Sequence, residues 1–246
     1  MAKIGVFDSG VGGLSVFREI YKAFPGEDYI YFSDNAYCPY GEKSPEFIRE
    51  RACSIASDMI AEGVQVIVVA CNTATSAAIA TLRERFSIPF IGMEPALKPA
   101  ANGTRTGVVG VLATKGTLSG AKYHGIKEQF GTDVKVVESI GDGFVELVES
   151  GETSGPRAEA VIERSLTPIL EAGADVVVLG CTHYPFLLPT LCKLAGPEVR
   201  FIDPAPAIAR RLGDVMAESG IPLRGEGGIR EFRASGNPET LNRMKW

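Results

Sequence analysis

The sequence has few cysteines and no long apolar run, and each absence excludes a class of protein. Its five cysteines form no CxxC pair and no regular spacing, which argues against a disulfide framework and a structural zinc site. No apolar run approaches the length that spans a bilayer, and the start, MAKIGVFDSG, enters a strand-like segment without the apolar region of a signal peptide. We therefore expect reduced thiols, a cytoplasmic location and no membrane partner.

Basic residues are not in excess either. The formal net charge is −5, from 25 Lys and Arg against 30 Asp and Glu, and the cations are scattered along the chain. The electrostatic pattern of a nucleic-acid-binding protein is therefore missing, and we expect no nucleic-acid partner.

What the sequence does contain is a regular alternation of short β-branched runs, polar turns and helical periods. Near-continuous apolar runs are typical of parallel strands that are covered on both faces. The predicted strands lie at 4–7, 29–32, 64–69, 89–92, 106–111, 134–137, 175–179 and 199–202. Between them, one helix is predicted to begin after Ser44 as N-cap, with Pro45 in its first turn, and another contains Pro168, which can kink or shorten it. The alternation predicts an α/β fold.

The two halves of the chain resemble each other. VQVIVVACNTATSAAIATLRERFSIPFIGMEPA aligns with ADVVVLGCTHYPFLLPTLCKLAGPEVRFIDPA as strand, cysteine, polar turn, helix, strand and an acid-Pro-Ala end. Internal duplication of one α/β unit is the simplest interpretation. We therefore predict two similar flavodoxin-like or Rossmann-like parallel-sheet domains, 1–95 plus 205–246 and 96–204. The active site is expected in the cleft between them, with a hinge at Pro95 and Pro204.

Cys71 and Cys181 occupy equivalent places in the two halves, each directly after a buried strand. A single cysteine in such a place usually packs as a small apolar side chain. Here there are two, and each precedes polar residues at a predicted helix start, where free N–H groups and the helix dipole lower the pKa of a thiol. Two opposed thiols suit inversion of a stereocentre, since one thiolate removes a proton from one face of a carbon and the other thiol returns one to the opposite face.

Five motifs spread along the chain resemble those of the glutamate racemase family: DSGVGGLSV at 8–16, PYGEKS at 39–44, ACNTAT at 70–75, GCTHYP at 180–185 and SGNPE at 235–239. The resemblance implies a homodimeric enzyme, free of cofactor and metal, that interconverts L- and D-glutamate and supplies D-glutamate for peptidoglycan. It implies that Cys71 deprotonates the D-enantiomer and Cys181 the L-enantiomer. It also implies that Asp8 lies near the first thiol, and His183 and Glu149 near the second.

The same resemblance implies which residues hold the substrate. Ser, Thr and Asn side chains and turn N–H groups can bind two carboxylates without a buried Arg or Lys. The predicted substrate-binding residues are Asp8, Ser9, Pro39, Tyr40, Gly41, Asn72, Thr73, Thr114, Thr117, Thr182 and His183. An alternative for Ser9, Asn72 and Thr182 is that they cap helices, which uses the same N–H groups.

One segment before PYG departs from the family pattern. It reads SDNAYC at 33–38, with Asn35 where the family usually has Thr and Tyr37 where it often has Arg. These differences bear on the shape and specificity of the pocket rather than on the two thiols.

Other functions stay open from the sequence. An aspartate racemase or an arylmalonate-type decarboxylase would belong to the same superfamily, although a decarboxylase needs only one proton-donating cysteine, and CTH rather than CTE favours glutamate over aspartate. A binding module that keeps the cleft without turnover is expected to have lost one cysteine. A GxGxxG nucleotide-binding fold is disfavoured, because GVGG at 10–13 has the wrong spacing.

Overall fold

A computed structural model of the chain describes residues 2–130, 133–223, 225 and 227–244. The chain divides into two units, Met1–Met93 with Ala205–Trp246 and Glu94–Pro204. Of the two predicted domains, residues 1, 131, 132, 224, 226, 245 and 246 lie outside the described residues.

Strands and helices alternate along the chain, which confirms the predicted α/β class. The strands of the described ranges are β1 (Lys3–Asp8), β2 (Asp28–Ser33), β3 (Val66–Val69), β4 (Phe90–Gly92), β5 (Val108–Ala113), β6 (Lys135–Ile140), β7 (Val176–Gly180), β8 (Arg200–Ile202) and β9 (Arg230–Ala234). The α-helices of the same ranges are α1 (Leu14–Ala23), α2 (Pro45–Ala61), α3 (Asn72–Arg85), α4 (Leu97–Gly103), α5 (Lys115–Leu118), α6 (Ala121–Phe130), α7 (Phe144–Ser150), α8 (Pro156–Glu171), α9 (Leu188–Ala195), α10 (Ala205–Glu218) and α11 (Glu239–Met244). Short 3-10 helices lie at Asn35–Tyr37, Tyr40–Glu42 and Tyr184–Leu187.

The first unit is built on one parallel sheet with the strand order β4-β3-β1-β2-β9. Strands β1, β3 and β4 are largely apolar because helices cover both faces. Ile30 and Ile67 lie in one buried cluster with residues of α2 and α3. Since side chains alternate along a strand, the neighbouring Tyr29 and Tyr31 point to the opposite face, where their rings pack against Phe17 of α1.

The second unit repeats this plan. Its parallel sheet has the order β6-β5-β7-β8. These four strands correspond, in chain order and in position, to β2-β1-β3-β4 of the first unit. Val111 packs in a buried cluster with residues of α4 and α6. On the opposite face Gly110 lies against α8, where an added Cβ would come within 2.4 Å of Ile169 Cγ2. The shared strand order agrees with the duplication that the sequence indicates.

Two details differ from the sequence prediction. β9 (Arg230–Ala234) was not predicted, because REFRA is largely polar. Among the described strands it lies at the edge of the sheet and pairs with β2 alone. α8 continues through Pro168 to Glu171, so this proline does not end the helix. By contrast, the predicted start of α2 is confirmed: the Ser44 hydroxyl accepts a hydrogen bond from the Phe47 N–H at 3.2 Å.

No helix within the described ranges has the length and hydropathy needed to cross a membrane.

Candidate active site

The carboxyl ends of β1 and β3 form the switch point of the first sheet. In an open parallel sheet, ligands bind outside the strand ends where the strand order reverses direction. β1 and β3 are neighbours of this kind, since the chain adds β2 on one side of the pair and β4 on the other. Asp8 ends β1, and Cys71 lies between β3 and α3. The fold therefore brings the first predicted thiol and its predicted acid to the edge where the architecture favours a ligand.

Cys71 is the N-cap of α3. Its Sγ accepts a hydrogen bond from the Ala74 N–H at 3.4 Å, and its thiol donates to the Ser9 hydroxyl over 3.8 Å. The residue is only 5% exposed. Because the first N–H groups of a helix carry partial positive charge, this position stabilises a thiolate at Cys71.

Asp8 is connected to this thiol through Ser9. The Asp8 carboxylate is fully buried, and its Oδ1 accepts hydrogen bonds from the Gly10 N–H at 2.7 Å and from the Ser9 hydroxyl at 3.4 Å. Asp8, Ser9 and Cys71 thus form a short series of hydrogen-bonding groups. Such a series can hold or pass on a proton that the thiolate has taken up.

Asn72 carries a buried amide without a hydrogen-bond partner among the described residues. The residue is 4% exposed, and neither Nδ2 nor Oδ1 is paired. Leaving a buried polar group unpaired costs about 1–3 kcal/mol. The carboxylate of a ligand would accept from Nδ2, and an ammonium group would donate to Oδ1. Thr73 follows it in the first turn of α3 and is also buried.

The capping alternative for Ser9, Asn72 and Thr182 is wrong in this structure. The loop after β1 is long enough that α1 begins well beyond Ser9, and Asn72 is already the first residue of α3. Thr182 precedes a 3-10 helix without being its cap residue. The residues at the three cap positions are Gly13, Cys71 and His183.

The segment with Pro39, Tyr40 and Gly41 belongs to the same unit. Tyr40 is 1% exposed, and its hydroxyl donates to the Asp34 carboxylate. Burial, this hydrogen bond and the negative charges of Asp34 and Cys71 raise the pKa of Tyr40 far above its usual range. The phenol therefore keeps its proton. Tyr40 lies in the same buried cluster as Cys71.

In the second unit, β5 and β7 occupy the corresponding switch point. Ala113 at the end of β5 pairs with Gly180 at the end of β7, so Thr114 and Cys181 follow the paired ends directly. The Thr114 hydroxyl caps α5 by accepting from the Thr117 N–H at 3.2 Å, and the two threonine hydroxyls lie 3.0 Å apart.

Cys181 lies next to an imidazole and a carboxylate. Its Sγ is 3.8 Å from His183 Nδ1, and His183 Nε2 is 2.8 Å from Glu149 Oε1 of α7. Cys181 is 8% exposed and His183 1% exposed, and Thr182 between them is buried as well. The carboxylate can orient the imidazole, and the imidazole can exchange a proton with the thiol.

The predicted helix start directly after Cys181 is wrong. The chain forms a turn, then the 3-10 helix Tyr184–Leu187, and α9 begins only at Leu188. The N–H groups of a helix start therefore lie at Cys71 and not at Cys181, which has the His183 imidazole beside it instead. Burial, and secondly the charge of Cys181, raise the pKa of Tyr184 well above its usual range, so this tyrosine also stays protonated.

The sequence of the chain is similar to those of known racemases along almost its whole length. The sequence matches the Asp/Glu/Hydantoin racemase family over residues 4–212. The chain belongs to this racemase family. The glutamate racemase of Pseudomonas aeruginosa is 48% identical over 244 residues, which are 99% of this chain and 92% of that relative.

Solved structures of glutamate racemases are similar over nearly the whole chain. Isoform RacE1 from Bacillus anthracis has a TM-score of 0.90 at 32% identity, with 99% of this chain and 92% of that chain covered. The Escherichia coli glutamate racemase, solved in complex with L-glutamate and the activator UDP-MurNAc-ala, has a TM-score of 0.87 at 37% identity, with 98% and 92% covered. The two parallel-sheet α/β units are therefore the racemase fold.

Three residues linked to the candidate site residues were missed from the sequence: Asp34, Arg51 and Tyr184. Asp34 follows β2 as directly as Ser9 follows β1, and an acid after a buried strand is the signal that could have identified it. Tyr184 lies inside GCTHYP itself. Arg51 gave no signal, because its contact with Asp34 joins residues 17 positions apart.

Proposed function

We propose that the protein is a glutamate racemase that interconverts L- and D-glutamate without a metal or an organic cofactor. The observation that carries the proposal is a buried thiol with its own acid-base partner at the switch point of each sheet. Cys71 is connected through Ser9 to Asp8, and Cys181 lies beside His183. The identity to glutamate racemases along almost the whole chain supports glutamate as the substrate.

The reaction moves one proton off Cα and another onto its opposite face. With D-glutamate, the Cys71 thiolate removes the α-proton while the Cys181 thiol donates one, which leaves L-glutamate, a Cys71 thiol and a Cys181 thiolate. The reverse direction begins from that state, with the roles exchanged. For a second turnover in the same direction, one proton must pass from Cys71 to Cys181 through solvent, and Asp8 on one side and His183 on the other can relay it.

The α-proton is weakly acidic, so the site must also stabilise the carbanion that develops. Hydrogen bonds to the α-carboxylate from fixed donors serve this purpose, because they require no reorganisation during the reaction. The unpaired amide of Asn72 is one such donor. The other groups proposed to hold the substrate are Asp8, Ser9, Pro39, Tyr40, Gly41, Thr73, Thr114, Thr117, Thr182 and His183.

Two-thiol chemistry at one carbon requires that both units contribute to one substrate site. We therefore propose 1–95 plus 205–246 and 96–204 as the two domains, with the substrate in the cleft between them and Pro95 and Pro204 as the hinge. The enzyme is further proposed to act as a homodimer in the cytoplasm, where its thiols stay reduced, and to supply D-glutamate for peptidoglycan.

The test is a chiral assay of the purified protein without pyridoxal phosphate. D- and L-glutamate should each approach a 1:1 mixture. D- and L-aspartate should racemise roughly a hundredfold more slowly, because one missing methylene moves the side-chain carboxylate away from the groups that would hold it. Turnover of aspartate in preference to glutamate would show a different substrate.

Serine variants test the thiols. Cys71→Ser and Cys181→Ser should each lower kcat/KM by about a thousandfold or more, since a hydroxyl is a poor base at neutral pH. Cys192→Ser is the matched control, because Cys192 is exposed and lies outside the proposed site. Near-normal racemisation by Cys71→Ser or by Cys181→Ser would refute the assigned roles.

A further inference from the structure

The carboxylate of Asp34 is a buried group that the proposed mechanism does not use. It directly follows β2, is fully buried, and its backbone N–H donates to the Asp8 carbonyl at 2.9 Å. Its Oδ2 accepts from the Tyr40 hydroxyl. This carboxylate thus joins the end of β2 to the segment that is proposed to bind glutamate.

Arg51 of α2 holds Asp34 from the other side. Its Nε donates to Oδ2 at 3.0 Å and its terminal nitrogen donates to Oδ1 at 2.6 Å, which is the two-pronged arrangement of a guanidinium on a carboxylate. The Tyr37 ring lies over the guanidinium at 4.5 Å and packs against Phe47 at 5.4 Å. Tyr37, where the family often has Arg, therefore covers this ion pair in the present chain.

This geometry fixes an orientation more than it adds stability. The Asp34 side chain is fully buried and that of Arg51 is 24% exposed. Removing charges from water offsets most of what their attraction contributes, so such an ion pair is weak evidence for stability but does restrict geometry. Because two nitrogens of the planar guanidinium bind its two oxygens as a fork, the Asp34 carboxylate is held in one plane and one orientation. The Tyr40 hydroxyl donates into that fixed carboxylate, so the fork sets where Tyr40 and Gly41 lie.

We propose that Arg51 is a positioning residue for substrate binding, which acts through Asp34 on the Tyr40–Gly41 segment. The proposal rests on the proposed function, because it assigns the segment to glutamate. Arg51 touches no reacting atom; its effect is to hold the segment in its binding position before glutamate arrives.

The test measures KM and kcat for D-glutamate in Arg51→Gln and Arg51→Lys, with thermal unfolding of each. Arg51→Gln should raise KM about tenfold and change kcat less than about threefold, as expected for lost binding that is equal in ground and transition states. Arg51→Lys keeps the charge but not the fork, so KM should rise roughly three- to fivefold. Arg49→Gln is the matched control on the same helix: Arg49 pairs only with the exposed Glu46 among the contacts described, and its KM should stay within about twofold.

A double-mutant cycle with Tyr40→Phe separates positioning from general support of the fold. If Arg51 acts through Asp34 on Tyr40, Arg51→Gln should raise KM by no more than about twofold in the Tyr40→Phe background. An unchanged KM in both Arg51 variants, or a rise of the same size with and without the Tyr40 hydroxyl, would overturn the proposal. If Arg51→Gln does not fold, the KM of Arg51→Lys decides the question.

The wild-type protein is assayed before the variants. If it does not turn over glutamate, the proposed function and this inference are refuted together. If the wild type is active and the Arg51 variants have an unchanged KM, the inference alone is refuted.

Discussion

Gly13 allows the start of α1 to approach the carboxyl end of the first sheet, and an added methyl group should disturb the first thiol site. A Cβ at Gly13 would lie 2.6 Å from Asp8 Cβ, 2.9 Å from Tyr31 Oη and 3.2 Å from Ala70 Cβ. Carbon atoms normally pack at about 3.5–4.0 Å. All three neighbours are fully buried, so either α1 or Asp8 must move by about 1 Å to restore normal contact.

The size of the effect follows from two opposing contributions. Overpacking of this kind costs about 1–3 kcal/mol, and a contact as short as 2.6 Å belongs near the upper end. Replacing Gly by Ala at a compatible backbone gains only about 0.4–1 kcal/mol from the unfolded state, and Gly13 has an ordinary helical conformation. The net loss of roughly 1–2.5 kcal/mol should lower the melting temperature by about 2–10 °C. Because Asp8 connects through Ser9 to Cys71, kcat/KM should fall roughly a hundredfold, as expected for a shift of about 1 Å at a catalytic site.

The assay is thermal unfolding together with glutamate racemisation, with Gly125→Ala as control. Gly125 lies in α6 with no atom within 4 Å of an added Cβ, so Ala there should stabilise the protein by about 0.5–1 kcal/mol and leave activity unchanged. The two glycine variants are therefore predicted to shift the melting temperature in opposite directions. A Gly13→Ala protein that is as stable and as active as wild type would refute the reasoning.

Three further predictions concern single side chains. Glu149→Gln removes the carboxylate 2.8 Å from His183 and should lower kcat, and with it kcat/KM, by roughly tenfold or more. The loss in kcat/KM should be equal for D- and L-glutamate, because the equilibrium constant between enantiomers is 1. Chiral assays in both directions check this, and an unchanged kcat with only KM raised would contradict it. Asn72→Leu should lower kcat/KM by about a hundredfold. It should not lower the melting temperature, because the substitution removes a buried amide that has no hydrogen-bond partner among the described residues. A clear loss of stability would contradict a ligand-binding role for Asn72. Burial alone would raise the pKa of Asp175, but hydrogen bonds, first among them that from Thr104, lower this pKa below its usual value. The ionised carboxylate therefore stabilises the folded state at pH values above the pKa of Asp in the unfolded chain, about 3.9. This contribution is lost as the pH falls below that value. Asp175→Asn should therefore unfold at a lower temperature than wild type at pH 7, and the difference should shrink below about pH 4; a difference that is independent of pH would contradict this.

The apolar strands could be predicted because covering both faces leaves a continuous β-branched run. Val66–Val69 and Val176–Gly180 are buried throughout, and each appears in the sequence as such a run. β9 could not be recognised, because an edge strand with Arg230, Glu231 and Arg233 has no apolar pattern and is specified by its pairing with β2. Boundaries such as the true start of β3 at Val66 rather than Val64 depend on ladder hydrogen bonds that the pattern does not contain.

Candidate site residues within one motif could be named from the sequence alone, whereas contacts between distant motifs were either implied only by the family resemblance or missed. The two cysteines were found from the duplication, because equivalent positions in the two halves carry the same residue. The different surroundings of the thiols, a helix start at Cys71 and an imidazole at Cys181, depend on where each following helix begins. The ion pair between Asp34 and Arg51 depends on how α2 crosses the sheet, which composition and periodicity do not determine.

The central claim is that different groups handle the proton on the two faces of Cα, and isotope distribution early in the reaction tests it most directly. D-glutamate is incubated with the enzyme in heavy water, and the reaction is stopped before the reverse direction contributes. The enantiomers are then separated, and the deuterium content of each is measured by mass spectrometry. The account predicts that nearly every L-glutamate molecule carries one deuterium at Cα, because the donating thiol has exchanged with solvent. The recovered D-glutamate should carry almost none, because the accepting group does not return a solvent-derived deuteron to the face from which it took the proton. L-glutamate that retains the original proton, or recovered D-glutamate labelled as heavily as the product, would contradict it.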